Sequence, residues 1–574
     1  MRFLPGLEAA RQYRREWLRD DIVAGIVLTS LLVPQGMAYA ELAGLPAIAG
    51  VYASMVPLVA YAVFGPSRIL VIAPDSAIAP LIAAAIIPIA GAEPDARMGV
   101  AAFLALLVGV LCLVGGIARL GFVTDLLSKP VRIGYLAGIA IVVLADQAAK
   151  VLGIEIEAED FLGGLAELVT SLDETVVLTT AIGLGTFIAL LALRWRLPRA
   201  PGALLAVLAG IALVVGLDLQ DVVPTVGEVP PGLPSFAMPP IDGELLSGLA
   251  VPALAIALVA FADTSVLSQS FASRRGERVD QDQELFALGA SNLATGFFQG
   301  YPVSSSSSRT PAAEAAGAKT QLTGIVAAVL IGLVLLFATG LLAPLPEATL
   351  AAIVMVAVIG LIDVGALRRL FRINRADFLL AIAALFGVAI VGVIPGIGVA
   401  IGLSVGALLW RVWHPYSAVL GRIDGRKGYH DRERHPEGRQ VPGLILFRFD
   451  APLFFANADV FRDTLLDVIR QADAPVRRVV VAAEPITDVD TTAADMLIEL
   501  LDHLDERDIG LSFAELKGPV KDTVERYGLD QRLADPAFPS TVGEAVHAYL
   551  EAYDVPWEDW EDAEEHEAAS GPPR

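Results

Sequence analysis

The sequence predicts a polytopic α-helical membrane protein with fourteen transmembrane segments in a 7+7 inverted repeat, followed by a small cytoplasmic α/β domain. Three observations support this fold class. The 574 residues are 55% hydrophobic and only 18% charged, whereas soluble domains contain about 25% charged residues. The negative charge is concentrated near the C-terminus. Finally, two apolar segments at matching places in the two halves are interrupted.

The net charge of −23 is unevenly distributed. Residues 441–574 contain 11 Lys+Arg and 29 Asp+Glu, a net charge of −18, which leaves −5 for residues 1–440. A pI of about 4.7 argues against a nucleic-acid partner, which requires basic residues. The single Cys112 excludes a disulfide framework, and all six histidines lie at or after His414. We therefore expect no metal site, no cofactor and no enzyme.

Twelve apolar runs are long enough to cross a bilayer, which takes roughly 20 residues. They lie at 22–42, 46–63, 99–118, 130–149, 174–193, 201–217, 245–268, 283–299, 322–342, 345–362, 376–394 and 397–413. Two interrupted runs, 68–90 and 301–318, each read as a short extended piece followed by a half-length helix. Counting both gives fourteen segments.

Loop charges support this count. The predicted inner loops contain most of the Lys and Arg residues, whereas the predicted outer loops contain only Arg97 and Lys150. Cytoplasmic loops carry the excess of positive charge. The sequence therefore predicts a protein of the cell membrane with both termini in the cytoplasm.

The two interrupted segments are the third of each half of seven, and an odd number inverts the second half. Such paired segments mark the midplane site of inverted-repeat transporters. The alternative is a pair of ordinary helices with proline kinks. Two half-helices that begin near the midplane present their N-termini to the centre of the membrane, where they favour an anion.

Arg309 is the main candidate for binding that anion, because a cation at membrane depth is functional by default. The serines at 304–308 supply hydroxyl donors and N-cap candidates. The alternative, which is compatible with anion binding, is that Arg309 pairs structurally with an acid such as Glu314. Asp75 is expected to N-cap the other half-helix and, since it repels anions, is left out of the binding site.

Polar residues in two other spans complete the predicted site. Gln35 and Tyr39 are four residues apart and share a helix face, whereas Glu41 lies off that face. Asp263 and Thr264 lie in the eighth segment. Membrane carboxylates suggest coupling to H+ or Na+, and the alternative for Glu41 and Asp263 is structural pairing.

Three motifs resemble the SulP anion transporters, and the resemblance covers nearly the whole chain. They are LLVPQGMAYAELAGLPAIAGVYAS at 31–54, DLLSKPVRIGYLAG at 125–138, and NLATGFFQGYPVSSSSSRTPAAEAAGAKTQLTGI at 292–325. The resemblance implies a core domain (segments 1–4 and 8–11) that moves against a gate domain (segments 5–7 and 12–14). It also implies a homodimer.

The family resemblance places the anion between half-helices 3 and 10. Ser308 and Arg309 match the family's Ser-Arg pair, Glu41 matches an acid associated with proton coupling, and Asp263 matches a carboxylate of cation-coupled members. The expected substrate-binding residues are Gln35, Tyr39, Ser76, Ser306, Ser307, Ser308 and Arg309. The expected cation-coupling residues are Glu41, Asp263 and Thr264.

The C-terminal region is similar to STAS domains. The predicted division is a cytoplasmic segment at 1–21, the membrane domain at 22–414, a linker at 415–441, the STAS domain at 442–552 and an acidic disordered tail at 553–574. Thr491 and Thr492 occupy the phosphosite of related anti-sigma-factor antagonists. The alternative is that Asp490 or Thr491 simply caps a helix.

These features favour a secondary active transporter of a small anion, most simply a sulfate/H+ symporter. Alternative substrates are a C4-dicarboxylate, or bicarbonate with Na+. An anion channel, an exchanger, a motor of the prestin type and a membrane sensor linked to the STAS domain are further alternatives. The expected partners are the anion, the lipid bilayer, a second copy and a regulatory protein at the STAS domain.

Overall fold

Hydrophobic helices make up the first of the two units into which the chain divides, Met1–Ser404 and Val405–Arg574. In this computed structural model the second unit is built on a five-stranded sheet. The structure describes residues 4–91, 93–122, 128–156, 158, 160–197, 200–239, 242–306 and 308–561.

Helices occur at every predicted segment. They are α1 (Pro5–Arg11), α2 (Leu18–Leu42), α3 (Ala47–Phe64), α4 (Ala79–Ala90), α5 (Pro94–Ile117), α6 (Lys129–Leu152), α7 (Phe161–Thr170), α8 (Val177–Arg196), α9 (Gly202–Gly216), α10 (Gly243–Arg274), α11 (Gln281–Phe297), α12 (Arg309–Ala315), α13 (Leu322–Phe337), α14 (Glu347–Ile359), α15 (Val364–Ile373), α16 (Arg375–Phe386) and α17 (Val393–Trp413). Among the described residues, 8 helical stretches are long and apolar enough to cross a membrane. The number of fourteen crossings stays a prediction.

The two interrupted segments have the predicted form. Strand β1 (Ile72–Ala73) precedes the half-helix α4, and strand β2 (Ser304–Ser305) precedes the half-helix α12. The strands pair antiparallel, with Ile72 opposite Ser305 and Ala73 opposite Ser304. Pairing satisfies backbone groups that bare hydrocarbon would leave without partners. The alternative of two proline-kinked helices is wrong.

The helices pack in two groups. Helices α2–α5 pack extensively against α10–α13, and α6 packs against α8, α14 and α16. Helix α2 also contacts α9 and α14 of the second group. This grouping follows the division into core and gate segments, while movement between the groups stays a prediction.

Glycines allow α2 and α3 to approach closely. A Cβ atom on Gly50 would lie 1.8 Å from the carbonyl oxygen of Gly36, and one on Gly36 would lie 2.3 Å from Ser54 Oγ. Small residues let helix backbones pack at this range in membranes. No side chain larger than hydrogen fits at Gly50 unless the backbone moves.

Two buried carboxylates hold segments that lie far apart in the chain, and the sequence analysis did not identify them. Asp21 accepts hydrogen bonds from the N–H groups of Lys319 (2.8 Å) and Thr320 (3.0 Å) and from the hydroxyl of Thr323 (3.0 Å). Glu284 accepts from Tyr61 Oη at 2.7 Å and Ser67 Oγ at 2.6 Å. Each carboxylate is fully buried, and its hydrogen bonds offset the cost of that burial.

The second unit has strand order β4-β3-β5-β6-β7. Its elements are β3 (Ser417–Arg422), β4 (Tyr429–Asp431), β5 (Leu444–Phe449), α18 (Ala458–Arg470), β6 (Arg478–Ala482), α19 (Thr491–Asp505), β7 (Gly510–Ala514), α20 (Gly518–Arg526) and α21 (Val542–Ala552). Strands β5, β6 and β7 are parallel, with helices in their connections. This α/β alternation matches the prediction for 442–552.

The prediction of a linker at 415–441 is wrong. Strands β3 and β4 form an antiparallel hairpin, and β3 pairs antiparallel with β5. Because charged residues dominate 415–441, its composition did not predict the short strand β3, whose Ala418 and Leu420 are buried. The sheet domain therefore begins at least 25 residues earlier than predicted (Ser417 instead of 442).

The predicted disordered tail is wrong for residues 553–561 as well. Arg422 Nη2 lies 2.9 Å from Asp559 Oδ1 and 2.8 Å from Glu561 Oε2. Its Cζ also lies over the ring of Tyr429, 5.5 Å from the ring centre, and over the ring of Trp560, at 5.4 Å. The acidic composition is typical of a disordered, solvent-exposed segment, yet Asp559 and Glu561 pair with Arg422, which is buried. Residues 562–574 lie outside the described residues.

Replacement of Arg422 by alanine is expected to release residues 554–561. Burial alone would raise the pKa of Asp559, but the hydrogen bonds and charge of Arg422 outweigh burial and hold this pKa below its ordinary value. The depressed pKa means that the contact is stable above the ordinary aspartate pKa and weakens as pH falls through the lowered value. Hydrogen exchange of these amides in the full chain should accelerate at neutral pH in Arg422→Ala.

The matched control is Arg434→Ala, because that arginine side chain is 78% exposed. It should leave exchange at 554–561 unchanged. The difference between wild type and Arg422→Ala should shrink as pH falls below the ordinary aspartate pKa and through the lowered pKa of Asp559. Equal protection in both proteins at neutral pH would contradict the assigned role of Arg422.

Candidate functional site

The two half-helices begin beside the β1–β2 pair. Ser308 occupies the N-cap position of α12. The expected N-cap role of Asp75 is wrong, since Ile78 occupies the N-cap position of α4. Asp75 Oδ2 instead accepts the N–H of Ala77 at 3.0 Å. The carboxyl group therefore fixes the turn that leads into α4.

Arg309 is the central cation of this site, and its side chain is completely buried. Its Nη2 lies 3.5 Å from Asp75 Oδ1 and donates to the carbonyl oxygen of Ala73 at 3.4 Å. Its Cζ lies 5.9 Å from the centre of the Tyr39 ring. In the described part of the chain, Nε and Nη1 have no hydrogen-bond partner. Two nitrogens of this buried guanidinium group therefore have no described hydrogen-bond partner.

Arg309 does pair with an acid, as the structural alternative expected, but that acid is Asp75 and not Glu314. Glu314 Oε1 lies 3.3 Å from Arg275 Nη2 instead. Both side chains of that pair are partly exposed. Helix α12 therefore separates its buried cation from its surface acid, and the acid beside Arg309 is Asp75.

A cavity of about 1160 Å³ lies next to Arg309. Its lining includes most of the predicted binding residues, namely Gln35, Tyr39, Ser76, Ser306 and Ser308, together with Asp75 and Asp263. The spacing argument for Gln35 and Tyr39 holds to this extent, since both line one cavity. Arg309 lies behind this described lining, next to Tyr39 and Asp75. Ser307, predicted as a binding residue, lies outside the described residues.

The cavity continues toward loop residues. Lys129, Arg132, Arg194 and Arg369 line it as well, along with Asp363 and Asp377. The loop-charge pattern predicts a cytoplasmic position for Lys129, Arg194 and Arg369. Positive groups at the mouth raise the local concentration of anions.

Of the three predicted cation-coupling residues, Asp263 and Thr264 are neighbours on α10 and Glu41 lies apart from them. Asp263 lines the cavity. Thr264 is buried and donates its hydroxyl to the carbonyl oxygen of Ala260 at 2.7 Å. Glu41 lies outside the described lining, and the charges that act on it are Lys150 and Glu347. Glu41 therefore occupies a different place from the anion cavity.

The second unit shows what caps α19. Asp490 is its N-cap and accepts the N–H groups of Ala493 and Phe455, each at 2.8 Å. The capping interpretation is therefore confirmed for Asp490. Thr491 and Thr492 follow it and are exposed. Their phosphorylation stays a prediction.

Comparisons with known proteins agree on the class of the chain. Residues 18–384 match the sulfate permease family, and residues 435–545 match the STAS domain. A Mycobacterium tuberculosis protein named "Probable sulfate transporter" is 41% identical over 95% of this chain and 98% of its own. The chloroplastic sulfate transporter 4.1 of Arabidopsis thaliana is 31% identical over 94% of this chain and 82% of its own.

Two solved structures share the fold. The murine anion transporter Slc26a9 in an inward-facing state has a TM-score of 0.88 at 20% identity, over 96% of this chain and 94% of that one. The transmembrane domain of the cyanobacterial bicarbonate transporter BicA has a TM-score of 0.59 at 23% identity, over 69% of this chain and 98% of that one. The helical membrane fold with a C-terminal STAS domain is thereby confirmed.

Proposed function

This chain belongs to the sulfate permease family, and from that premise we propose that it is a secondary active transporter that carries sulfate by symport with H+. The observation that carries the proposal is Arg309, a fully buried cation with two unpartnered nitrogens in the described structure. It lies beside the β1–β2 pair and next to Tyr39 and Asp75, two residues that line a large cavity. Family membership assigns the chain to anion transport and gives no reason to expect an enzyme.

The cavity supports an inward-open state for this conformation. It joins the predicted anion site to basic residues that the loop-charge pattern places in the cytoplasm. Both termini would then be cytoplasmic. An anion would enter between Tyr39, Ser76 and Ser306 to reach Arg309. The proposal also includes a homodimer and a regulatory partner at the STAS domain, and these two parts rest on the family resemblance alone.

Symport needs a group that carries the cation. Asp263 lines the anion cavity and Glu41 lies near Lys150 and Glu347. Carboxylates inside membrane proteins are costly and serve proton relays. We assign proton coupling to these two acids, with Thr264 beside Asp263 on α10.

Uptake of radiolabelled sulfate into proteoliposomes tests the proposal. An inward H+ gradient should drive accumulation above equilibrium, whereas a Na+ gradient should not. Separate assays with fumarate, bicarbonate and chloride compare the alternative substrates. Accumulation of fumarate or Na+-driven accumulation of bicarbonate, without sulfate uptake, would replace the proposed substrate. Passive chloride flux alone would favour a channel.

Glu41→Gln is expected to remove the response to the H+ gradient while sparing anion binding. Glutamine cannot carry a proton, and Glu41 lies outside the described cavity lining. The measurement is sulfate uptake with and without the gradient, alongside sulfate affinity in detergent. Proton-driven uptake at the wild-type level would reject the assigned role. Glu244→Gln, at an exposed position in the first turn of α10, is the matched control.

A further inference from the structure

The carboxyl group of Asp75 lies against the guanidinium group that the proposed function assigns to the anion. Asp75 Oδ1 lies 3.5 Å from Arg309 Nη2, and the residue is 7% exposed. Its Oδ2 is held by the N–H of Ala77. Because Asp75 also lines the cavity, protons and anions reach it along the same path.

An anion and the charged form of Asp75 compete for one cation. Two negative groups beside a single guanidinium group repel each other, so each weakens the interaction of the other with that guanidinium group. When Asp75 is charged, the ion pair that it forms with Arg309 has no net positive charge to attract an anion. Binding of an anion at Nε and Nη1 therefore favours a neutral Asp75.

Charged and titratable groups face Asp75 from several elements. Those that interact with it electrostatically are Arg309 on α12, Tyr39 on α2, Tyr135 on α6, Asp263 on α10 and Tyr301 ahead of β2. Arg132 on α6 acts on Asp263 and Tyr135. Tyrosines keep their protons near neutral pH and arginine keeps its charge. The two carboxyl groups are therefore the members of this set that can exchange protons.

Resting on the proposed function, we infer that Asp75 is the internal counter-ion of Arg309 and that anion binding is coupled to protonation of Asp75. When the anion enters, Asp75 Oδ1 takes a proton from the cavity water, the ion pair ends and Arg309 pairs with the anion. When the anion leaves, the proton returns to the water and the ion pair re-forms. The site thus accepts an anion together with a proton.

Anion binding to the full-length protein in detergent at about pH 5.5 and about pH 8 tests this role. Sulfate, fumarate and chloride are titrated separately by calorimetry, and the tightest ligand of wild type is the probe. Wild-type affinity should rise as pH falls, by up to about tenfold per pH unit when one proton accompanies each anion. Asp75→Asn keeps an oxygen for the N–H of Ala77, and it should bind with equal affinity at both pH values.

At about pH 8, Asp75→Asn should also bind the probe roughly tenfold more tightly than wild type, because the competing charge is gone. Asp75→Glu restores the charge and should restore the pH dependence. Asp363→Asn is the matched control, since Asp363 lines the same cavity but is exposed at the start of α15, where asparagine keeps an oxygen for the N–H of Ala366. This control should keep the pH dependence.

Two outcomes overturn the inference. One is a wild-type affinity that does not change with pH, and the other is an Asp75→Asn protein that keeps the wild-type pH dependence. The binding of Arg309→Ala separates this inference from the proposed function. If Arg309→Ala binds the probe as wild type does, the anion site itself is misplaced. If Arg309→Ala fails to bind but Asp75→Asn behaves as wild type, only the role of Asp75 is overturned.

Discussion

Arg309→Ala is expected to abolish sulfate uptake in proteoliposomes. The substitution removes the buried cation and leaves Asp75, 3.5 Å away in the native protein, as an uncompensated negative charge in the anion path. Losing one partner of a buried charged contact costs about 2–5 kcal/mol, a weakening of roughly thirtyfold to several thousandfold. Initial uptake rates across a range of sulfate concentrations provide the measurement.

Two further variants sharpen the Arg309 experiment. Arg309→Lys keeps the charge but loses the planar fork that binds oxyanions through two hydrogen bonds, so it should retain only weak uptake. Arg275→Ala makes the same chemical change at a partly exposed pair with Glu314 and should transport normally. Gel filtration and melting temperature show whether each variant is folded. Wild-type transport by folded Arg309→Ala would refute the anion site.

Gly50→Ala is expected to prevent α2 and α3 from packing. The added methyl group would lie 1.8 Å from the carbonyl oxygen of Gly36, a backbone atom that cannot rotate away. Overpacking typically costs about 1–3 kcal/mol, and more where backbone must shift. We expect a sharply reduced yield of monodisperse protein and a lower melting temperature. Because α2 carries Gln35 and Tyr39, surviving protein should also bind anions poorly.

Gly185→Ala is the control for this packing experiment. A Cβ atom at Gly185, in α8, meets no described atom within 4 Å. Alanine is favoured over glycine in a helix interior by about 1 kcal/mol, so stability should stay level or rise slightly. A Gly50→Ala protein with wild-type yield and melting temperature would show that the helices can separate at no cost.

Local sequence patterns were sufficient to predict the elements of the fold. The apolar runs predicted helices at every segment, and the interruptions near Pro74 and Pro302 predicted the extended pieces before α4 and α12. These predictions use only residues within about 20 positions of one another, which is the length over which a hydropathy pattern is recognised. The same reasoning placed Gln35 and Tyr39 on one surface.

Partners that lie far apart in the chain could not be predicted. Glu314, five residues along the chain, was the example of an acid expected to pair with Arg309, whereas the observed partner, Asp75, is brought to Arg309 by the pairing of β1 with β2. The hydrogen bonds of Asp21 to 319–323 fall in the same class. Composition also misled the prediction for the C-terminal region, because the acidic residues Asp559 and Glu561 suggested a disordered tail whereas both pair with Arg422.

The β1–β2 pairing has a consequence for synthesis and insertion of the chain. Ala73 and Arg309 lie 236 residues apart, and translation at 5–20 residues per second separates them by on the order of 10–50 s. During that interval the backbone groups of 72–73 have been made but their strand partner has not. The first half must stay within the insertion machinery, or in contact with water, until the second half with β2 has been synthesised. A chain truncated after its first seven segments would therefore keep unpaired backbone N–H and C=O groups at 72–73. Membrane quality control is expected to degrade it.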